Sequence, residues 1–260
     1  MTERLVCGLQ PVREAIAAHG ARLRVLVEGK DSPQLEALAR FARDRGAKVE
    51  RVRRAELDGM AHGVRHQGAI AVAPPLRVRP LGELELSSSA LVVVLDSIED
   101  PQNFGAVVRS AVALGASAIL WPEHGAAPLS PAMFRASAGA IEHAQLCRVP
   151  SLPPALDALR LRGLRVVGLD AGAQGRLDGE PLDRPTALVL GAEGAGLHKS
   201  VRRACDVIVS LPMAGPVASL NVSAAAAIAL YEARRQRLAA EPPKNDQKLV
   251  ANSDGDDNAD

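Results

Sequence analysis

The chain has 260 residues, of which 47% are hydrophobic, so it can form one large domain or two ordinary ones with a packed core. Its 31 lysines and arginines are balanced by 30 acidic residues, and only 2% of its residues are aromatic. These values argue against a uniformly basic nucleic-acid binder and against RNA recognition on an aromatic stacking platform. Three isolated cysteines, an N-terminus without an apolar signal segment and no run of membrane-spanning length predict a cytoplasmic protein that does not enter a membrane.

Residues 1–75 alternate short strand and helix patterns and end at a pair of prolines, which predicts a small α/β domain. We expect strands at residues 23–27, 48–52 and 69–72, and a helix that begins at Pro33 after Ser32 and runs to about residue 45. Arginines are frequent here. They are equally consistent with a surface that faces RNA phosphates and with an ordinary solvated helix face.

The HGVRHQG segment at residues 62–68 combines hydrogen-bond donors with two glycines ahead of an apolar strand. His62 and His66 have the spacing of two metal ligands on a helix, but the glycines break a helix and no third ligand is near. We therefore predict no metal site. We predict a polar loop at the edge of an RNA-binding surface, with Arg65 and His66 as candidate substrate contacts.

Residues 76–89 have the composition of an interdomain linker, and a second domain is predicted at residues 90–238. Its first segment, residues 90–95, is a continuous apolar run that is typical of a strand buried on both faces of a parallel sheet. A polar turn follows, and then a helix at about residues 103–114 that places Asn103 at its start. Arg109 lies in an apolar part of this helix, where it either extends to solvent or is held in a cleft to bind an anion.

Strand and helix patterns continue to alternate, which predicts a parallel α/β sheet. Expected strands occupy residues 118–120, 145–149, 164–169, 187–190 and 207–209. Expected helices begin at residues 131, 152 and 223, and the last of them ends near residue 237. Residues 239–260 are polar and acidic, and we predict that they form a disordered tail.

Two loops hold the remaining candidate site residues. The glycine loop at residues 191–196 matches neither dinucleotide nor P-loop signatures, and Glu193 would repel a diphosphate, so a ligand without phosphate is favoured. The loop at residues 211–223 contains Pro212, Gly215 and Pro216, which exclude regular structure, followed by Ser219, Leu220 and Asn221 at a helix start. Such a loop suits a small polar molecule with a flat apolar part.

Three stretches together resemble the motifs of the SpoU (TrmH-like) RNA 2′-O-ribose methyltransferases. They are DPQNFG at residues 100–105 with Arg109, LGAEG at residues 190–194, and LPMAG at residues 211–215 with SLN at residues 219–221. The resemblance covers residues 90–237, and the preceding region resembles the substrate-binding domain of the family, including HQG at residues 66–68. Within the family the resemblance is greatest to bacterial enzymes that methylate a guanosine of 23S rRNA.

This resemblance implies a SPOUT-type α/β domain with a trefoil knot, S-adenosylmethionine as cofactor, RNA as substrate and a homodimer joined through the knot helices. Cofactor contacts would come from Gly191, Leu211 and Leu220. The reacting site would comprise Asn103, Arg109, Glu193, Ser219 and Asn221. Arg109 would bind the phosphate beside the reacting ribose, since a guanidinium matches a phosphate in bidentate fashion.

Other functions remain open from the sequence. A tRNA could be the substrate instead of 23S rRNA, because RNA specificity resides in surface shape. A catalytically silent RNA-binding protein could also retain the fold. A dinucleotide oxidoreductase is disfavoured by the failed glycine signature.

Overall fold

The computed structural model describes residues 3–217 and 219–240, which form two α/β domains, each built on its own sheet. The first sheet has four strands and the second has eight. The α/β class with a parallel sheet in the second domain is therefore confirmed.

The first domain contains four strands and three helices: β1 (Arg4–Cys7), α1 (Leu9–His19), β2 (Arg24–Glu28), α2 (Pro33–Asp44), β3 (Lys48–Val52), α3 (Arg54–Ala61) and β4 (Ala69–Ala73). β2 runs parallel to β3, whereas β4 is antiparallel to β1 and β2. Apolar residues of α1 and α2 cover one sheet face and those of α3 cover the other. The three predicted strands and the predicted helix are all present.

The second domain contains the remaining elements: β5 (Val78–Arg79), β6 (Leu91–Leu95), α4 (Pro101–Ala113), β7 (Ala118–Pro122), α5 (Pro131–Ala136), β8 (Leu146–Val149), α6 (Leu152–Leu161), β9 (Arg165–Leu169), β10 (Gly175–Arg176), β11 (Thr186–Leu190), α7 (Lys199–Ala204), β12 (Val207–Ser210) and α8 (Val222–Ala240). The strand order in this sheet is β10-β12-β9-β11-β6-β7-β8-β5, and every strand pair is parallel. Alternate residues of β6 and β11 enter two cores, one beneath α4, α5 and α8 and the other beneath α6 and α7. Burial on both faces explains the continuous apolar runs of these strands.

The segment predicted as a linker contributes to the second domain. Val78 and Arg79 pair with β8, and Leu84 is buried in the core beneath α6. The Arg162 guanidinium donates hydrogen bonds to the carbonyl oxygens of Leu81 (3.1 Å) and Leu84 (2.6 Å). An open sheet edge offers unpaired backbone groups, and this segment satisfies part of that edge.

The bounds of two helices in the second domain, α4 and α8, differ from the prediction. α4 begins at Pro101, two residues early, because the Asp100 carboxylate caps it by accepting the N–H groups of Gln102 and Asn103. α8 extends to Ala240, beyond its predicted end near residue 237, so it includes the first two residues of the predicted tail. Residues 241–260, with most of the predicted acidic tail, lie outside the described residues. Within residues 3–217 and 219–240, every helix is too short or too polar to cross a bilayer.

β12 lies between β9 and β10, so the last strand within the described residues is inserted inside the sheet rather than added at its edge. After it, the chain passes through residues 211–221 and returns as α8, which packs against α4. This order is compatible with the trefoil knot that the resemblance implies, which stays a prediction.

Close packing of α4 on α5 depends on Gly105. A Cβ at this position would lie 2.5 Å from both the Ala136 Cβ and the Met133 carbonyl oxygen. Relative to Gly59→Ala in α3, where a Cβ meets nothing within 4 Å, we expect Gly105→Ala to lower the free energy of unfolding by about 1–3 kcal/mol. Both substitutions gain the same helix propensity, so the comparison isolates packing. Urea denaturation of the two variants measures it, and equal midpoints would contradict the packing argument.

Candidate active site

A cavity of about 130 Å³ opens at the carboxyl ends of three neighbouring parallel strands, β9, β11 and β12. The carboxyl edge of such a sheet is where α/β proteins bind ligands. Its apolar lining comes largely from residues that follow or end these strands and from the start of α8. These residues are Leu169, Leu190, Leu211, Leu220, Val222 and Ala225.

The glycine loop forms one wall of the cavity as a tight turn. Ala192 and Gly196 exchange backbone hydrogen bonds of 3.1 and 2.9 Å, and Glu193 and Gly194 lie at the tip. A Cβ at Gly191 would lie 2.3 Å from the Gly196 carbonyl carbon. Only glycine therefore permits the two arms of this turn to approach so closely.

Asn221 connects the three motif stretches at the mouth of the cavity. Its Nδ2 donates to Asn103 Oδ1 of α4 at 3.0 Å and to Glu193 Oε2 of the glycine loop at 3.1 Å. Its Oδ1 accepts the Ser223 N–H at 2.9 Å and the Ser223 hydroxyl at 2.6 Å, which caps the start of α8. Asn103 lies 118 residues and Glu193 lies 28 residues before Asn221 in the sequence. Three distant stretches of the chain thus meet at one side chain.

The structure brings most of the predicted site residues together. Gly191, Glu193, Leu211, Ser219 and Leu220 all line the cavity, and Asn103 and Asn221 join Glu193 beside it. Their catalytic and cofactor roles stay predictions.

Arg109 lies on α4, six residues after Asn103, which corresponds to about 9 Å along the helix axis. Its side chain is exposed, and within the described part of the chain it makes no hydrogen bond or ion pair. Of the two alternatives, extension to solvent matches this arrangement. An exposed, uncommitted guanidinium is also free to meet an anion that approaches from solution.

Asp170, which directly follows β9, is a cavity residue that the sequence analysis missed. Burial raises the pKa of its carboxyl, but hydrogen bonds from the Gly172 N–H and the Arg202 guanidinium outweigh burial and bring the pKa below its ordinary value. The Arg202 Nη1 to Asp170 Oδ2 distance is 2.7 Å. Asp170 is therefore an anion at neutral pH. Its position at the end of a predicted strand was a sequence signal for a site residue. The sequence does not show that β9 lies beside β11, however, and this neighbourhood is what brings Asp170 to the cavity.

Asp96 contacts His198, which lies just after the glycine loop. Its side chain is buried at the end of β6, and its Oδ2 accepts the His198 N–H at 2.7 Å, while its Oδ1 lies 3.0 Å from His198 Nδ1. Ser97 Oγ lies 2.9 Å from the same ring nitrogen. These contacts fix the end of the glycine loop to the strand that precedes α4.

The first domain has a separate polar cleft of about 660 Å³, lined by Lys30, Gln34, Arg54, Arg65, His66 and Gln67 among others. Arg65 is exposed there. His66 is only 3% exposed: its Nδ1 accepts the Gly68 N–H at 3.1 Å, and its Nε2 lies 2.9 Å from Asp58 Oδ1. Both ring nitrogens therefore have partners inside the domain, and Arg65 is the more available of the two predicted contacts.

Thiol and metal chemistry find little support in the described residues. Burial raises the pKa of Cys147 to about 11, and burial together with the nearby Asp206 raises that of Cys205 to about 12. These thiols stay protonated at neutral pH and are poor nucleophiles. Among residues 3–217 and 219–240, no three His, Cys, Asp or Glu side chains are grouped as metal ligands.

Family models match both domains. The model described as SpoU rRNA Methylase family matches residues 90–231, and the model described as RNA 2′-O ribose methyltransferase substrate binding matches residues 5–79. Among curated relatives, 23S rRNA (guanosine-2′-O-)-methyltransferase RlmB of Pseudomonas putida is 38% identical over 89% of this chain and 96% of its own length. A protein of Mycobacterium avium described as an uncharacterized tRNA/rRNA methyltransferase is 40% identical over 89% of this chain and 77% of its own length.

Solved structures agree with these matches. The SpoU methyltransferase AviRb from Streptomyces viridochromogenes in complex with AdoMet has a TM-score of 0.74 and 30% identity, and covers 91% of each chain. An rRNA methyltransferase from Sinorhizobium meliloti with bound AdoMet has a TM-score of 0.72 and 26% identity, over 90% of this chain and 87% of the other. The motif geometry, both family models and these relatives lead to one conclusion: the chain belongs to the SpoU family of RNA 2′-O-ribose methyltransferases.

Proposed function

We propose that the protein transfers a methyl group from S-adenosylmethionine to the ribose 2′-hydroxyl of a guanosine in 23S rRNA. The observation that carries this proposal is the junction of Asn103, Glu193 and Asn221 at the mouth of the cavity at the strand ends. The names of the RlmB relatives, which match nearly the whole chain, support the choice of 23S rRNA.

The side chains that line the cavity suit the cofactor in polarity and charge. Leu169, Leu190, Leu211 and Leu220 offer apolar surface to an adenine ring, and backbone groups of the glycine loop offer hydrogen bonds. Asp170 and Glu193 supply negative charge at the lining, which suits a sulfonium cation and an ammonium group and disfavours a diphosphate. Bound there, S-adenosylmethionine would supply a methyl group already activated for displacement.

Residues beside the cavity and Arg109 on α4 are proposed to position the RNA. Arg109, exposed on α4, is proposed to bind the phosphate next to the reacting ribose and to hold the 2′-hydroxyl in line with the methyl group. A guanidinium stays protonated in proteins, so the hydroxyl proton passes to the phosphate or to water. Glu193, Ser219 and Asn221 hold the loop and the ribose by hydrogen bonds.

The polar cleft of the first domain is proposed to contact RNA outside the reacting nucleotide. Arg65 supplies an exposed positive charge, while the buried His66 orders the loop that carries it. Because ribosomal RNA is a cytoplasmic molecule in bacteria, we propose a cytoplasmic location.

A tRNA substrate is the second candidate, since several mycobacterial relatives are described as tRNA/rRNA methyltransferases. Mapping of 2′-O-methylation in total RNA from cells with and without this protein separates the two substrates. We expect the loss of a mark at one guanosine of 23S rRNA. An intact rRNA pattern with a missing tRNA mark would assign the second candidate, and unchanged rRNA and tRNA would leave only a silent RNA-binding role.

The two arginines should affect catalysis in different ways. With tritium-labelled cofactor and unmodified 23S rRNA transcript, we expect Arg109→Ala to lower kcat by about 10²-fold or more, because the phosphate is no longer held in position. Arg65→Ala should instead raise the KM for RNA several-fold and leave kcat near its original value. The Kd for S-adenosylmethionine, measured by calorimetry, should not change in either variant. Wild-type kcat in Arg109→Ala would contradict the proposed mechanism.

We also propose that the protein is a homodimer that uses the outer face of α8. Ile228, Tyr231 and Leu238 are about half exposed. Together with the exposed Ala224 and Arg235 they form a row along the helix, with alternating spacings of four and three residues. This spacing is typical of the contact row between two packed helices. Such an apolar stripe on a solvent-facing helix is typical of an interface.

Sedimentation velocity tests the dimer. We expect a dimer for the wild type and a monomer for Tyr231→Glu, because a buried unpaired carboxylate is costly. Leu161→Glu is the matched control: Leu161 is 90% exposed at the end of α6, away from the stripe, and its replacement should leave the dimer intact. A monomeric wild type, or a dimer that survives Tyr231→Glu, would contradict this interface.

A further inference from the structure

Glu142 is a buried acid at the junction of the two domains. It lies in a short 3-10 helix (Ala140–His143) of the second domain, which packs against α1 of the first. Its side chain is 1% exposed, yet both carboxylate oxygens contact basic side chains of the first domain. Oε1 accepts from Arg4 Nη1 at 2.7 Å, and Oε2 contacts both Arg4 Nη2 and, at 2.9 Å, His19 Nε2.

Arg4 is itself held in place from several sides. Its Nε donates to the Pro74 carbonyl oxygen at 2.9 Å, and its guanidinium lies 5.5 Å from the ring centre of Phe134 in α5. A bidentate arginine–carboxylate pair fixes distance and angle together. Because a buried charge without its partner is costly, the pair disfavours any domain arrangement that separates Arg4 from Glu142.

Backbone packing at Gly139, in the same junction, leaves no room for a side chain. Gly139, immediately before the 3-10 helix, has a φ of 86°, and a Cβ there would lie 2.8 Å from the Pro11 Cα and the Glu14 Cβ of α1. A second contact between the domains, His143 Nε2 to Glu14 Oε2 at 2.9 Å, lies at the partly exposed edge of the interface.

We propose that Glu142 is a positioning residue for RNA methylation. Through Arg4 and His19 it fixes the first domain against the second, so that the polar cleft beside Arg65 and the cavity at the strand ends bind one RNA molecule at the same time. This inference rests on the proposed function. Two binding surfaces on a fixed frame act at a high effective concentration, and that advantage falls when the frame becomes flexible.

The test uses the full chain with Glu142→Gln, Arg4→Gln and the double variant. We expect each single variant to raise both the KM and the Kd for unmodified 23S rRNA transcript by about tenfold. This is a small part of the roughly 10²–10⁴-fold gain in affinity that linked binding surfaces can provide. The kcat at saturating RNA and the Kd for S-adenosylmethionine should stay within about twofold, because neither residue contacts the cavity. The double variant should lose less affinity than the sum of the two single losses, since both single variants remove the same Arg4–Glu142 pair.

His143→Gln is the matched control. It removes a more exposed histidine–carboxylate pair from the same interface and should change the RNA affinity by less than about twofold. Small-angle scattering should show a larger radius of gyration for Glu142→Gln than for His143→Gln. Arg4→Gln lies in the other domain, so it tests the same contact if Glu142→Gln fails to fold.

The outcomes separate this inference from the proposed function. If the wild type methylates no RNA but Glu142→Gln still weakens RNA binding about tenfold, the function is wrong and the positioning role stands. Unchanged RNA affinity in folded Glu142→Gln and Arg4→Gln, a fall in kcat at constant KM, or additive losses in the double variant would each overturn the positioning role.

Discussion

The carboxamide of Asn221 is the contact on which the candidate site depends. An amide side chain has two N–H donors and one carbonyl acceptor, and here all of them have partners: Asn103, Glu193 and Ser223. This arrangement fixes which end of the amide faces which group. It joins the start of α4, the glycine loop after β11 and the start of α8 in one hydrogen-bonded junction beside the cavity. An aspartate at this position would place a second carboxylate next to Glu193.

The parallel sheet explains why this junction forms where it does. Both faces of β6 and β11 are covered by helices, so polar loops can gather only at the strand ends. Asp96 ends β6 and binds the backbone of His198, which ties the far end of the glycine loop to the same edge. The first domain is joined to this platform through Glu142, at a distance from the cavity, so RNA binding and methyl transfer can share one frame without sharing residues.

Sequence patterns predicted much of this fold because many signals were local. The apolar runs of β6, β9 and β11 and the proline starts of α2, α5 and α6 are visible within a few residues. β1, α1 and α3 were not resolved as separate elements, since short amphipathic segments give weak periodicity. β5 was placed in a linker because two residues that complete a sheet edge have no pattern of their own. At the site, the motifs identified Asn103, Glu193 and Asn221, but Asp170 and the Glu142 contacts depend on which strands and domains are neighbours, which one sequence does not reveal.

Calorimetric titration of the purified protein with S-adenosylmethionine tests the central claim most directly, when it compares the wild type with Asn221→Asp and Ser223→Ala. The wild type should bind the cofactor at the cavity, and Asn221→Asp should bind it about tenfold more weakly, because the bridge to Glu193 becomes a repulsion. Ser223→Ala keeps the backbone N–H bond to Asn221 and should bind within about twofold of the wild type. A wild type without measurable affinity, or Asn221→Asp with undiminished affinity, would contradict the account.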